Sequence, residues 1–255
     1  MNTKIYVVTH KKYPMPKDPL YVPIHAGAAI SEVKLPYQKD SEGENISAKN
    51  KNYCELTALY WIWKNDTSDN AGICHYRRYF GKHKGPAKDK SRLIARADNI
   101  NGLLSVYDAI LPKKRNYFIE TNYSQYVHAH HSADLDVTKE ILEEKYPEYV
   151  PAFDELMKRT DGHRFNIMIM KKELLNEYCE WLFDILFTLE ERLDITGYSD
   201  YDARVYGFVS ERLLDVWINT KGIRYVEMPV INMESQHWPS KIAKFLKRKF
   251  RPEAK

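Results

Sequence analysis

Short β-branched runs alternate along the chain with longer stretches whose apolar residues recur at helical spacing. Lys4-Ile5-Tyr6-Val7-Val8-Thr9-His10 ends in polar residues and predicts a buried first strand with a loop at its carboxyl end. Residues 11–49 are rich in Lys, Pro, Gly and Asp and predict a long loop with at most one short element. Loops of that length are often functional. Tyr53, Leu56, Tyr60 and Trp63 share one face and predict a helix over 52–64, with Asn52 and Glu55 as a capping pair. Residues 71–76 predict a second strand, followed at once by Arg77 and Arg78, and residues 81–100 a basic loop. Residues 105–111 predict a third strand, closed by Pro112 and Lys113-Lys114-Arg115. Helices are predicted within 136–158, broken at Pro147, and over 172–193 and 204–217; strands are predicted over 165–170 and 223–231.

Strands alternating with helices point to a layered α/β domain, in which ligands sit outside the carboxyl ends of the strands. The polar residues at those ends are His10, Arg77, Arg78, Lys113 and Lys114. They line one crevice if their strands are neighbours.

Charge divides the chain unevenly. The net charge is +4, yet residues 241–255 hold seven Lys/Arg and one Glu, so the rest is at −2. That division predicts a main domain over 1–240 and a basic tail over 241–255, and it disfavours nucleic-acid binding by the body. The tail interleaves Ile242, Phe245, Leu246 and Phe250 with cations. It reads either as an interfacial membrane helix or as a disordered basic segment. The start lacks the pattern of a secretory leader, and no run nears the roughly 18 apolar residues of a membrane span. Cys54, Cys74 and Cys179 each lie in an apolar run, which suits reduced thiols. The expected location is the cytoplasm, with peripheral membrane contact through the tail.

Candidate chemistry concentrates in a few segments. Two adjacent arginines after a strand can present planar, bidentate donors to phosphate oxygens; the alternative for one of them is a surface salt bridge. Residues 40–50 precede a helix start, and Asn45, Ser47 and Asn50 there are either ligand contacts or loop and cap residues. Glu55 reads as a cap. His128, His130 and His131 match no zinc spacing, and a polar acceptor is the better partner for them. Asp161 and His163, before a strand, are positioned to take a proton from an acceptor hydroxyl, unless they serve a turn. Asp200 and Asp202 have the Asp-x-Asp spacing that divalent metals favour, but a helix start explains them equally well.

The runs Asn45 to Asn65 and His75-Tyr76-Arg77-Arg78-Tyr79-Phe80 resemble a bacterial unknown-function domain family of capsular and exopolysaccharide biosynthesis proteins. Phe165 to Met170 and Tyr206 to Leu213 are similar to its pattern too, and the likeness covers roughly residues 3–238. The resemblance implies a glycosyltransferase of the GT-A-like, Rossmann-type nucleotide-sugar fold, with a mixed central sheet. It implies transfer from a nucleotide sugar, UDP-linked and in some relatives UDP-galactofuranose, to a lipid-linked or growing polysaccharide. That fold usually carries a metal-binding Asp-x-Asp where this chain has His75-Tyr76-Arg77-Arg78. The departure puts a divalent cofactor in doubt and implies Arg77 and Arg78, with Lys113, as the clamp on the diphosphate. Thr9, His10, Asn45, Ser47, Asn50 and His75 are the expected donor contacts beside them. Asp161 and His163 are the expected proton acceptors, and His130, His131, Asp200 and Asp202 the expected acceptor contacts. A non-catalytic sugar-binding or scaffold protein of a polysaccharide complex is the alternative.

Overall fold

The computed structural model describes residues 2–83, 85 and 87–234, so the basic tail of 241–255 lies outside the described residues. The strands are β1 (Thr3–Thr9), β2 (Tyr21–His25), β3 (Gln38–Lys39), β4 (Asn70–His75), β5 (Arg78–Phe80), β6 (Ala109–Pro112), β7 (Arg115–Asn116), β8 (Asp161–Gly162), β9 (Met168–Lys171), β10 (Tyr225–Met228) and β11 (Val230–Asn232). The helices are α1 (Asn50–Tyr53), α2 (Leu56–Asn65), α3 (Ala97–Leu104), α4 (Asn122–Val127), α5 (Ser132–Lys145), α6 (Val150–Lys158), α7 (Lys172–Arg192) and α8 (Val205–Lys221).

A mixed sheet runs in the order β10-β6-β9-β4-β1-β2-β3, with β5 and β11 attached beside β4. β1, β2 and β4 are parallel, whereas β9 is antiparallel to both β4 and β6. The carboxyl ends of β1, β2, β4, β6 and β10 therefore open on one edge. Helices cover both faces. Tyr6 and Val8 of β1 face a core built with Leu56, Leu182 and Trp217, while Ile5 and Val7 face a second with Ile100, Leu104 and Phe80. The strand is apolar throughout because both of its sides are buried. Gly72 lies where β4 meets β9: a Cβ there would come within 2.7 Å of the Ile169 side chain.

Several elements depart from the sequence reading. The long loop of 11–49 contains β2, whose Pro23 disguises it. Just outside the two ends of β2, Leu20 C=O accepts from Ile5 N–H and Ala26 N–H donates to Thr9 C=O on the β1 side, while His25 C=O accepts from Asp40 N–H on the other side. Alternation puts the donor that Pro23 lacks on that other side, where β3 reaches only Ile24 and His25. The helix expected over 52–64 is broken at Cys54, whose φ is +51°. Asn52 and Glu55 form no capping pair: Asn52 Nδ2 donates to Ala203 C=O, and no side chain caps α2. The basic loop of 81–100 contains the start of α3, and the last strand splits into β10 and β11 at Pro229.

Asp40 fixes the loop that leads into α1. Its fully buried carboxylate accepts from Gly27 N–H (2.7 Å), Ala28 N–H (3.0 Å), Ser47 Oγ (2.5 Å) and Thr57 Oγ1 (2.6 Å). Removing it leaves three buried donors and one part-buried donor without their acceptor. Asp40→Ala should therefore lower unfolding stability by about 2–3 kcal/mol, read from urea denaturation. A loss within about 0.5 kcal/mol, the range of an ordinary surface change, would show that water replaces the carboxylate.

Candidate functional site

A cleft of about 570 Å³ opens at the carboxyl ends of β1 and β4. Thr9, His10, Asn50, His75, Arg77 and Arg78 line it, together with residues the sequence did not single out for chemistry: Cys54, Glu55, Phe165, Tyr201, Arg204, Phe208 and Glu211.

The floor is a turn held in an uncommon conformation. Phe165 (φ +81°) and Asn166 (φ +50°) are consecutive non-glycine residues in the left-handed region. Surrounding groups pin them there. Phe165 C=O accepts from His75 Nε2 (2.9 Å), and Phe165 N–H donates to Glu211 Oε1 (3.0 Å). Asn166 Nδ2 donates to Glu55 Oε1 (2.7 Å) and to Gly207 C=O (3.0 Å), and Ser210 Oγ donates to Asn166 Oδ1 (3.1 Å). Strain supported this thoroughly is typical of functional sites. Cys54, also left-handed, interrupts the helix so that Glu55 turns into the cleft. The Cys54 sulfur accepts from Arg204 Nε (3.0 Å), and burial pushes its thiol pKa up. Cys74 and Cys179 are buried free thiols.

His75 must carry its proton on Nε2, because its partner is a carbonyl. Burial holds its pKa below the usual imidazole value, ahead of the opposing effect of Glu55. Below about pH 6.5 the unfolded chain takes up a proton that the folded His75 resists, so stability should fall as pH drops through that value. His10 and His25 are depressed by burial in the same direction. His75→Gln should flatten, without abolishing, the acid-side fall of the urea midpoint. An unchanged slope would assign the acid sensitivity elsewhere.

The two arginines occupy different environments. Arg77 is exposed over 43% of its side chain and pairs with Glu234 (3.2 Å), so the salt-bridge reading describes this one. Arg78 lies with its guanidinium carbon 4.4 Å from the Phe165 ring centre. Its Nε is buried without a hydrogen-bond partner among the described residues. Burial and the adjacent Arg77 charge lower its pKa, and Glu211 and Glu55 partly offset them. A desolvated cation in that position favours an incoming anion.

Other expected site residues lie outside the cleft or, like Thr9 and Asn50, line it with side chains already engaged within the protein. Lys113 follows β6, which β9 separates from β4, and does not line the cleft. Asn45 Nδ2 closes its own loop on Ser41 and Gly43 C=O, and Ser47 is buried against Asp40. Thr9 Oγ1 donates to Lys11 C=O within a turn, and Asn50 Nδ2 donates to Cys54 C=O and Thr57 Oγ1. Asp161 accepts two bonds from Arg159. His163 is buried between Asp215 (2.5 Å) and Glu227 (3.3 Å), where it ties α8 to β10 outside the cleft lining. Asp200 is 94% exposed beside Lys51, whereas Asp202 is buried against His130, so the two carboxylates do not converge. His131 stacks on Tyr198. His130 stacks on Phe208 at 4.1 Å and on Tyr201 at 5.6 Å, which makes it a support for the aromatic wall of the cleft.

The class is thus an α/β protein with a helix-flanked mixed sheet and a cationic cleft at the carboxyl ends of its central strands. A solved apo structure of the WbbM bifunctional glycosyltransferase has the same fold, with a TM-score of 0.84 and 29% identity. The match covers 92% of this chain and 46% of that one, so the chain spans about half of its neighbour. Residues 4–222 match the family described as "Domain of unknown function (DUF4422)", and the chain belongs to that family. No curated protein matches it. Among the described residues no helix is long and apolar enough to cross a membrane.

Proposed function

We propose that the chain is a glycosyltransferase that moves a sugar from a nucleoside-diphosphate donor to a growing or lipid-linked glycan. The observation that carries this reading is the half-buried Arg78 beside two cleft carboxylates, its buried Nε without a hydrogen-bond partner among the described residues, in a fold shared with a known glycosyltransferase. In the proposed step the acceptor oxygen bonds to the anomeric carbon while that carbon's bond to the diphosphate oxygen breaks. The electron pair leaves on the diphosphate, where Arg78, assisted by Arg77, stabilises the growing charge. Glu55 takes the hydroxyl proton. One of its oxygens is fixed by Asn166, and the other has no partner among the described residues. Glu211 is less available, since Phe165 N–H and Arg212 occupy both of its oxygens. The Tyr201 and Phe208 rings, with Arg204 over both, offer apolar faces to a sugar ring. His130 and Asp202 serve the acceptor from behind that wall.

The proposed donor is a UDP-sugar, with UDP-galactofuranose the first to try, and the proposed product is a surface polysaccharide. The clamp is proposed to work without a divalent metal, so transfer should persist in EDTA. Calorimetric titration tests the nucleotide part directly. UDP should bind, UMP should bind more weakly, and Arg78→Met should remove the difference. A protein that binds no nucleoside diphosphate and turns over no donor would be the scaffold instead.

A further inference from the structure

The connection that leaves β6 carries the most exposed large apolar side chain among the described residues. Phe118 is 82% exposed and its neighbour Ile119 51%. The backbone fixes this tip. Arg115–Asn116 pairs with Asp161–Gly162, Asn116 Oδ1 accepts from Phe118 N–H (2.6 Å), and Tyr117 C=O accepts from Ile119 N–H (2.6 Å). Phe118 sits at φ +58°, a conformation that bulky residues rarely adopt. A turn built this way holds the ring away from the protein.

The charge carried by the segment itself is of one sign. Lys113, Lys114 and Arg115 immediately precede the tip, and no acidic residue occurs from 113 to 119. Lys114 is partly engaged, at 3.1 Å from the Tyr225 hydroxyl and 4.0 Å from Glu227; Lys113 and Arg115 are exposed. The next acid, Glu120, is buried against His128. The segment leaves β6 at the carboxyl edge of the sheet, the edge on which the cleft opens. On the far side of β1, the connection after β2 leaves the same edge and exposes Ile30 and Val33. Apolar side chains therefore stand on both sides of the cleft mouth.

We infer that the 113–119 tip docks on an anionic lipid surface, with Phe118 and Ile119 entering the interface and the three cations meeting the headgroups. Isolated aromatic and aliphatic side chains flanked by basic residues gain both apolar burial and electrostatic attraction at such a surface. This contact brings the cleft edge toward the bilayer, whatever the cleft transfers, and it is distinct from the basic tail.

The test is sedimentation of the full chain with vesicles of phosphatidylglycerol and phosphatidylcholine, against phosphatidylcholine alone. Binding to the anionic vesicles should fall about tenfold or more in Phe118→Asp/Ile119→Asp, and by a similar factor in Lys113→Gln/Lys114→Gln/Arg115→Gln. Both variants should keep the wild-type melting temperature and UDP titration, which separates this inference from the reading of the cleft. Unchanged binding in both variants would assign the membrane contact to another segment and overturn the inference. So would failure of the wild type to sediment, or a self-association of the chain that the Phe118 change dissolves.

Discussion

Replacing Arg78 with methionine is expected to cut transfer by about 10²–10³ while leaving the melting temperature unchanged or higher. The two halves of this result have one cause. The guanidinium is partly withdrawn from water, its buried Nε has no partner among the described residues, and Arg77 repels it. Burying an ion costs several kcal/mol, and the cation–π contact with Phe165 returns about 0.5–2 kcal/mol. Glu55 and Glu211 offset part of the remainder. Methionine keeps an apolar, polarisable chain against the Phe165 ring, so removing the charge relieves desolvation without opening a cavity. In the proposed transition state the same cation meets a growing diphosphate charge, and one such contact is worth about 3–4 kcal/mol. Arg77→Met should cost less, because that side chain is exposed and already paired with Glu234. Product formation and scanning calorimetry on both variants decide the matter. Wild-type turnover in Arg78→Met would remove the residue from the site, and a melting point several degrees lower would mark it as structural.

The parts of the fold legible in the sequence were those whose burial imposes a single period. β1, buried on both faces, and α7, a long amphipathic helix, emerge within a residue or two of their observed limits. β2 stayed hidden because Pro23 reads as a breaker unless one knows that its missing donor faces a side that β3 barely covers. The break at Cys54 left no local signal: a left-handed cysteine inside an apolar periodic stretch is imposed by tertiary contacts, here Arg204 on its sulfur and Asn166 on the next side chain. The site divides the same way. Arg77 and Arg78 were visible because they adjoin a strand end. Asp161 and His163 shared that placement, yet Arg159 and the α8 residue Asp215 satisfy them away from the cleft. Glu211 and Phe208 come from one face of α8, where periodicity identifies core positions and does not reveal which residues border an opening. The crevice is set by strand order: β9 inserts between β4 and β6 and moves Lys113 away from Arg78.

Glu55→Gln separates these possibilities most sharply, because the sequence read Glu55 as a helix cap and the fold turns it into the cleft. The amide is isosteric, and its oxygen can still accept from Asn166 Nδ2, so the strained floor at Phe165 and Asn166 should survive. The carboxylate's ability to take a proton does not survive. Loss of a general base commonly costs about 10²–10⁴ in rate, so turnover should fall by that factor. Affinity for UDP should hold or rise, since a negative charge has left the neighbourhood of Arg78. Glu211→Gln should give a smaller loss, because both of that carboxylate's oxygens are already engaged within the protein. A cap or purely structural role predicts the opposite pattern, in which Glu55→Gln lowers the melting temperature and weakens UDP binding and turnover together. The rate of the bound complex, measured beside nucleotide affinity, therefore assigns the base: only a group that receives the acceptor's proton lowers the first while sparing the second.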